Sequence, residues 1–174
     1  SYEADVLVDG VSVMRVGGTA LGGGTLVGLA AGLLGELEFE KIAELTRRGS
    51  RREVDLVVSD IYPAGGIALA GDLTASNFGK FARRLRDGDP IERADVAHAI
   101  AGLIAENVAL LCTALAAAAQ VTRVVFGGST LRGNEGLQEM LAQLVRAYGR
   151  EPVFLENGEF TGALGALRIA SGEI

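Results

Sequence analysis

An α/β fold is predicted for this chain of 174 residues, and three features of the sequence predict it. The last third alternates "TRVVFGG", "NEGLQEMLAQLVRAYG", "EPVFLENG" and "FTGALGALRIA", which read strand, helix, strand, helix. Strands separated by helices imply parallel pairing. Near the start, "DVLVDGVSVMRV" sets Asp9-Gly10 between two β-rich runs, the signature of a type I′ hairpin. Between these regions Ile91–Ala119 reads as one helix, about 43 Å long if continuous.

The elements follow in order. After the hairpin, "VGGTALGGGTLVGL" leads into a helix over Thr25–Leu34, where Leu26, Leu29 and Leu33 recur at helical spacing. Glu38–Arg48 forms a second amphipathic helix, with Phe39, Ile42, Ala43 and Leu45 on its apolar side and Gly49 at its end. "REVDLVVSDIY" reads as helical, and "PAGGIALAGDLTASNFGK" as a Pro/Gly-rich loop. The long helix carries only Glu106 as a formal charge between Val96 and Ala119. Its length suits a membrane span, but mid-span Glu106 and Asn107 and its alanine content argue against insertion. A helix apolar on most sides is buried on most sides, so it is central to the fold or shared with a second subunit.

Composition bounds the function. Hydrophobic residues are 49% and charged residues 22%, as expected of one folded domain or one lobe of a larger one. The net charge of −6 gives no electrostatic footprint for nucleic acid. The single cysteine, Cys112, fits a reducing, cytoplasmic compartment. No signal peptide is read, since Glu3 and Asp5 stand where a basic segment would be.

Two glycine-rich turns are candidates for chemistry. "GGGT" at Gly22, Gly23, Gly24 and Thr25 opens a helix without side-chain bulk, which suits an anion or phosphate. It matches neither G-x-G-x-x-G nor a P-loop, and glycines serving only turns and close packing remain the alternative. Gly17-Gly18 is read as the turn leading to it. "VVFGGS" ends a strand in Gly127, Gly128 and Ser129, where ligand contacts gather at strand carboxyl ends. Arg15 precedes the first glycines and is either a carboxylate or phosphate ligand or an ordinary solvated arginine. His98 and Cys112 read as structural. Among carboxylates Glu106, Asp72 and Glu156 are candidates, although Asp72 equally suits an N-cap or turn. No metal-ligand spacing and no Ser-His-Asp set emerges.

Taken together, "RVGGTALGGGTLVGL", "VDLVVSDIY", "GDLTASNFGK", "VVFGGSTLRGN" and "FLENGEFTGALGAL", in this order, resemble the C-terminal half of the type II pantothenate kinase family. The likeness runs from about Asp5 to the end, and "GDLTASNFGK" is its most distinctive part. It implies the C-terminal lobe of an actin/hexokinase-like (ribonuclease H-like) fold over residues 1–174, with a mixed sheet and a long dimerisation helix. The implied reaction is ATP-dependent phosphorylation of pantothenate to 4'-phosphopantothenate, the first step of coenzyme A biosynthesis, with Mg²⁺. Carried over by motif, Gly22, Gly23, Gly24, Thr25, Leu26 and Val27 would hold the nucleotide. Phe39 would lie near the adenine, and Gly128 and Ser129 would contact the nucleotide from the second turn. Arg15 would meet pantothenate, while Thr74, Ala75 and Tyr148 match positions approaching a pantoyl or acyl pocket. A homodimer through Ile91–Ala119 and feedback binding of coenzyme A or an acyl-CoA are also implied, with no nucleic-acid or membrane partner.

The departures from the family bear on catalysis. Nothing here matches the family's D-x-G-G-T phosphate loop or its general-base glutamate, so the base and the other wall are expected from an upstream segment or a separate chain. Ser1 would be the last residue of a "GTGTS"-like turn. Two other readings stay open: a non-catalytic nucleotide- or CoA-binding dimerisation module, and another sugar-kinase-like small-molecule kinase, for example one acting on N-acetylglucosamine.

Overall fold

The computed structural model describes residues 2–8, 12–62 and 74–172. The Asp9-Gly10 turn and Asp72 lie outside the described residues. Two compact units form: Ser1–Thr25 with Ala105–Ile174, and Leu26–Ile104.

In the first unit, strands β1 (Tyr2–Val8) and β2 (Ser12–Thr19) pair antiparallel, as the hairpin reading requires. Their register shifts between Ala4 and Asp5, because Gly17 faces Ala4 and Arg15 faces Asp5. Val16 is the extra residue, a β-bulge that adds local twist. Gly17 and Gly18 therefore lie inside a strand, correcting their reading as a turn. The reason is space: a Cβ on Gly18 would stand 2.8 Å from the Tyr2 carbonyl oxygen, and one on Gly17 2.8 Å from a Leu115 methyl.

The remainder of this unit runs β5 (Arg123–Phe126), helix α6 (Glu135–Ala147), β6 (Glu151–Phe154) and helix α7 (Thr161–Ser171), in the predicted alternation. β5 and β6 pair in parallel, from Arg123 opposite Glu151 to Phe126 opposite Phe154. α6 buries Leu137, Leu141 and Val145 at helical spacing, each worth about 1.5–3 kcal/mol of burial. α7 buries none of its residues and leaves Leu164, Leu167 and Ile169 exposed.

The second unit holds most of α1 (Gly23–Leu34), then α2 (Phe39–Arg48), the short β3 (Leu56–Val57) and α3 (Val58–Ile61), β4 (Thr74–Ser76) and α4 (Phe81–Asp87). Here the helical reading of "REVDLVVSDIY" is corrected. Arg51–Glu53 is one 3₁₀ turn, and Leu56–Val57 pairs antiparallel with β4. The fully buried Asp55 decides this locally: its carboxylate accepts the Phe78 N–H at 2.7 Å and cross-links the two segments. Asp60 accepts the Val57 N–H at 2.8 Å and pairs with Lys80 at 2.6 Å. Phe78, at φ +57°, sets its ring edge-on to Phe81 at 5.5 Å. So 74–80, read as loop, is a strand and a braced turn, and 81–87 is a helix the sequence reading lacks.

α5 (Arg93–Ala118) is the predicted long helix, two residues later at its start. Its mean hydropathy of 1.9 and its length would suit a membrane span, but 56% of that window is buried inside the protein. Val96, Ile100, Ile104 and Val108 are all at most 4% exposed, the pattern of a core helix. The described strands form three separate two-stranded ladders, β1–β2, β3–β4 and β5–β6, in place of one mixed sheet.

Candidate functional site

The parallel pair β5–β6 ends in stacked Phe126 and Phe154, with ring centroids 5.2 Å apart. Beyond them the two strand-to-helix turns meet through glycine. The Gly128 N–H donates to the Gly158 carbonyl at 3.0 Å, and a Cβ on Gly158 would stand 3.0 Å from the Gly127 Cα. Gly128 has φ +119° and ψ 160°, a region that only glycine enters readily. The Thr161 hydroxyl donates to the same Gly158 carbonyl at 2.9 Å. A pocket of about 300 Å³ opens beside this junction, with Gly127, Gly128, Arg132, Gln138, Asn157 and Glu159 among its lining. It lies at the carboxyl ends of two parallel strands, where α/β proteins place ligands.

Ser129–Leu131 then forms a 3₁₀ turn whose shape is held from α6. Fully buried Asn134 caps that helix, accepting the Leu137 N–H at 3.3 Å and donating to the Thr130 carbonyl at 3.5 Å. Gln138 donates to the Leu131 carbonyl at 2.7 Å. The Ser129 side chain stays exposed.

The first glycine cluster reaches the same place. A Cβ on Gly23 would clash with the Thr130 hydroxyl oxygen, so the start of α1 abuts the second turn directly. Thr25 organises the approach: its hydroxyl oxygen accepts the Gly22 N–H at 3.3 Å and donates to the Ala20 carbonyl at 3.2 Å. The first-turn N–H groups of a helix have no intrahelical partner, and α1 has no acidic side chain there to occupy them. Such an end favours an anion. Gly24 has nothing within 4 Å of a built Cβ, so its lack of a side chain leaves open space. Leu26 is fully buried and Val27 is half-buried.

The other predicted residues are distributed as follows. Arg15 is exposed on β2 and held across the hairpin by Glu3 at 2.8 Å and by Asp5. The hydrogen bond to Asp5 leads in raising its pKa above the ordinary arginine value. Tyr148 is the C-terminal cap of α6, about 20 Å along that helix from Asn134, and is exposed. Phe39 opens α2, half-buried, and Thr74 and exposed Ala75 lie on β4; all three belong to the second unit. Glu156 is exposed and Glu106 half-buried. His98 contacts the Thr46 carbonyl through Nδ1 at 2.8 Å, a structural role. Burial pushes the Cys112 thiol up, away from nucleophilic use. Among the described residues no three His, Cys, Asp or Glu side chains gather as metal ligands.

Four contributors escape sequence reading: Thr130, Asn134 and Gln138, which shape the turn, and Gly158, which receives it. Asn134 had a readable signal, an asparagine directly ahead of an amphipathic run. The pairing of Gly158 with Gly127 and Gly128 had none, because it is a contact between distant backbones.

Comparison with known proteins identifies the family. The profile described as Fumble matches residues 6–168. The chain is similar to a type II pantothenate kinase of Bacillus anthracis, 38% identical over 162 residues, covering 92% of this chain and 57% of that protein. A type II pantothenate kinase of Staphylococcus epidermidis is 35% identical over 159 residues, covering 91% and 59%. The chain thus spans somewhat more than half the length of these curated relatives. The crystal structure of T. kodakarensis HypF superimposes at TM-score 0.45 and 19% identity over 75% of this chain and 17% of that one, a likeness too slight to assign the fold. With a family profile matched over nearly its whole length, the chain belongs to the Fumble family.

Proposed function

We propose that this chain is the C-terminal, nucleotide-binding lobe of a type II pantothenate kinase of actin/hexokinase-like fold. It serves ATP-dependent phosphorylation of pantothenate, the first step of coenzyme A biosynthesis, in the cytoplasm. The observation that carries this reading is the contact between Gly23 and Thr130, which joins the two glycine turns at one place. Phosphoryl transfer depends mostly on positioning and on stabilising phosphate charge. Backbone N–H groups of Gly23, Gly24 and Thr25 suit phosphate oxygens, and the pocket beside Gly128 and Ser129 suits the rest of the nucleotide. Phe39 is assigned to the adenine side.

Arg15, Thr74, Ala75 and Tyr148 are assigned to pantothenate. Arg15 would exchange Glu3 and Asp5 for the substrate carboxylate, one charge-assisted partner for another. The general base and the first phosphate loop belong to the part of the family's length outside this chain. Mg²⁺, when bound with ATP, supplies charge neutralisation at the phosphates. Dimerisation through α5 is supported by a stripe of exposed Asn107, Leu110, Ala114 and Ala117, whose small residues allow close helix approach. Coenzyme A or its thioesters would act as feedback ligands on the assembled enzyme.

The test is calorimetry with ATP, followed by a coupled ATPase assay with pantothenate, on the purified 174-residue chain. Nucleotide binding without pantothenate-dependent turnover is expected. Turnover by the chain alone would sink the one-lobe assignment, and failure to bind any adenine nucleotide would sink the site.

A further inference from the structure

Asn134 is a fully buried polar residue that the proposed reaction does not yet employ. Burying a carboxamide is costly unless it is hydrogen-bonded, and here both of its ends are occupied. The oxygen accepts the Leu137 N–H at 3.3 Å, which caps α6, and the nitrogen donates to the Thr130 carbonyl at 3.5 Å. Gln138, four residues on, donates to the next carbonyl, that of Leu131, at 2.7 Å. The Asn134 N–H reaches the same Leu131 oxygen at 3.3 Å. Gly133, at φ +61°, lets the chain reverse between the turn and the cap. Two side-chain amides from the start of α6 thus hold two successive carbonyls of the Ser129–Leu131 turn.

That turn needs holding. A single 3₁₀ turn has poor hydrogen-bond geometry, and the carbonyls at its end have no partner within it. A carboxylate at 134 would cap α6 equally well, but it has no hydrogen to give the Thr130 carbonyl. Asparagine does both. What the turn presents on its other side is Thr130 itself, whose side-chain atoms are the first that a Cβ on Gly23 would meet. The contacts therefore run in series, from α6 to Asn134, from Asn134 to Thr130, and from Thr130 to the start of α1.

We propose that Asn134, with Gln138 in support, is a positioning residue for the nucleotide. It fixes Thr130 and so sets the spacing between the two glycine turns. Being fully buried, it acts through Thr130 and does not touch the ligand. This rests on the proposed reading that the two turns hold ATP. Such placement is exacting, since a misplacement of about 1 Å can cost roughly a hundredfold in rate.

Asn134→Asp separates the two jobs of this side chain, because aspartate keeps the cap and loses the donor. Compared with the unaltered 174-residue chain in ATP calorimetry, it should raise the dissociation constant about five- to tenfold, the scale of one lost hydrogen bond. Should it fail to fold, Asn134→Ser, also a capping residue and uncharged, carries the same expectation. Val145→Ala, fully buried in the same helix, should lower the urea midpoint and leave ATP affinity unchanged. An equal loss of affinity in Val145→Ala would reduce Asn134 to a structural cap and overturn the inference. Thr130→Ala should weaken ATP binding by a similar factor, and adding Asn134→Asp to it should weaken binding little further, because the two act in series. Additive losses overturn the route through Thr130. Unchanged affinity in the folded Asn134 variant overturns the inference and leaves the nucleotide site standing. No ATP binding by the unaltered chain removes the site and the inference with it.

Discussion

Gly17-Gly18 and Gly23-Gly24 lie a few residues apart, look alike as text, and do opposite things. The first pair sits in β2 with no room for a side chain, hemmed by the Tyr2 carbonyl and by Leu115. The second pair opens α1 in ordinary helical backbone. Gly23 is pressed against Thr130, but Gly24 faces empty space. A glycine required by packing is explained by the protein itself. A glycine with space around it in a helix carries a stability cost that packing does not explain, and the proposed nucleotide site would give Gly24 a reason for it.

The comparison can be broken by substitution. Gly18→Val should cost about 2–3 kcal/mol in urea unfolding, as overpacking against backbone does. Near-normal stability would remove the packing explanation. Gly128→Ala should cost about 2 kcal/mol from its φ of +119° alone, with loss of nucleotide binding measured by calorimetry. Gly24→Ala should instead raise stability by up to about 1 kcal/mol while weakening ATP binding. If the affinity for ATP is unchanged, Gly24 is not in the site.

Arg15→Ala should leave thermal stability nearly as it is, because its pairs with Glu3 and Asp5 are exposed. In the assembled enzyme it should raise KM for pantothenate far more than KM for ATP, and equal effects would place it elsewhere. The smallest effect concerns Asp60, whose pKa is held below the ordinary value by the Lys80 hydrogen bond first and the Val57 N–H second. That stabilisation is present above about pH 4, near the unfolded pKa, and is lost as pH falls through the lower folded value. Asp60→Asn should therefore flatten the acid limb of the stability profile; an unchanged limb would show that the pair is fully screened.

Much of the frame was legible in the sequence because it rests on local pattern. The apolar spacing of α6, the alternation through β5 and β6, and the charge-poor α5 each follow from residues within one element. "REVDLVVSDIY" misled because its outcome is decided elsewhere: Asp55 and Asp60 are claimed by Phe78 and Lys80, which pulls the segment into a ladder with β4. The turn reading of Gly17-Gly18 failed for a related reason. Glycine density marks where backbone comes close, and only the fold says whether the neighbour is a strand, a side chain or nothing. Of the site, the two glycine turns were visible separately, but their meeting at Thr130 was not, because it is a contact between segments far apart in the sequence.

The division of the first unit carries a consequence for how the molecule is made. Its two pieces, Ser1–Thr25 and Ala105–Ile174, are interrupted by everything from Leu26 to Ile104. The hairpin is synthesised before the interrupting unit, and β5, α6 and β6 only after it. Closing so long an interval costs entropy when it is flexible and much less once the interval has folded and shortened the effective loop. The order of assembly that follows is inside out: the interrupting unit first, then the lobe that carries both glycine turns. On a ribosome, the two glycine turns would meet only after the interrupting unit has been made.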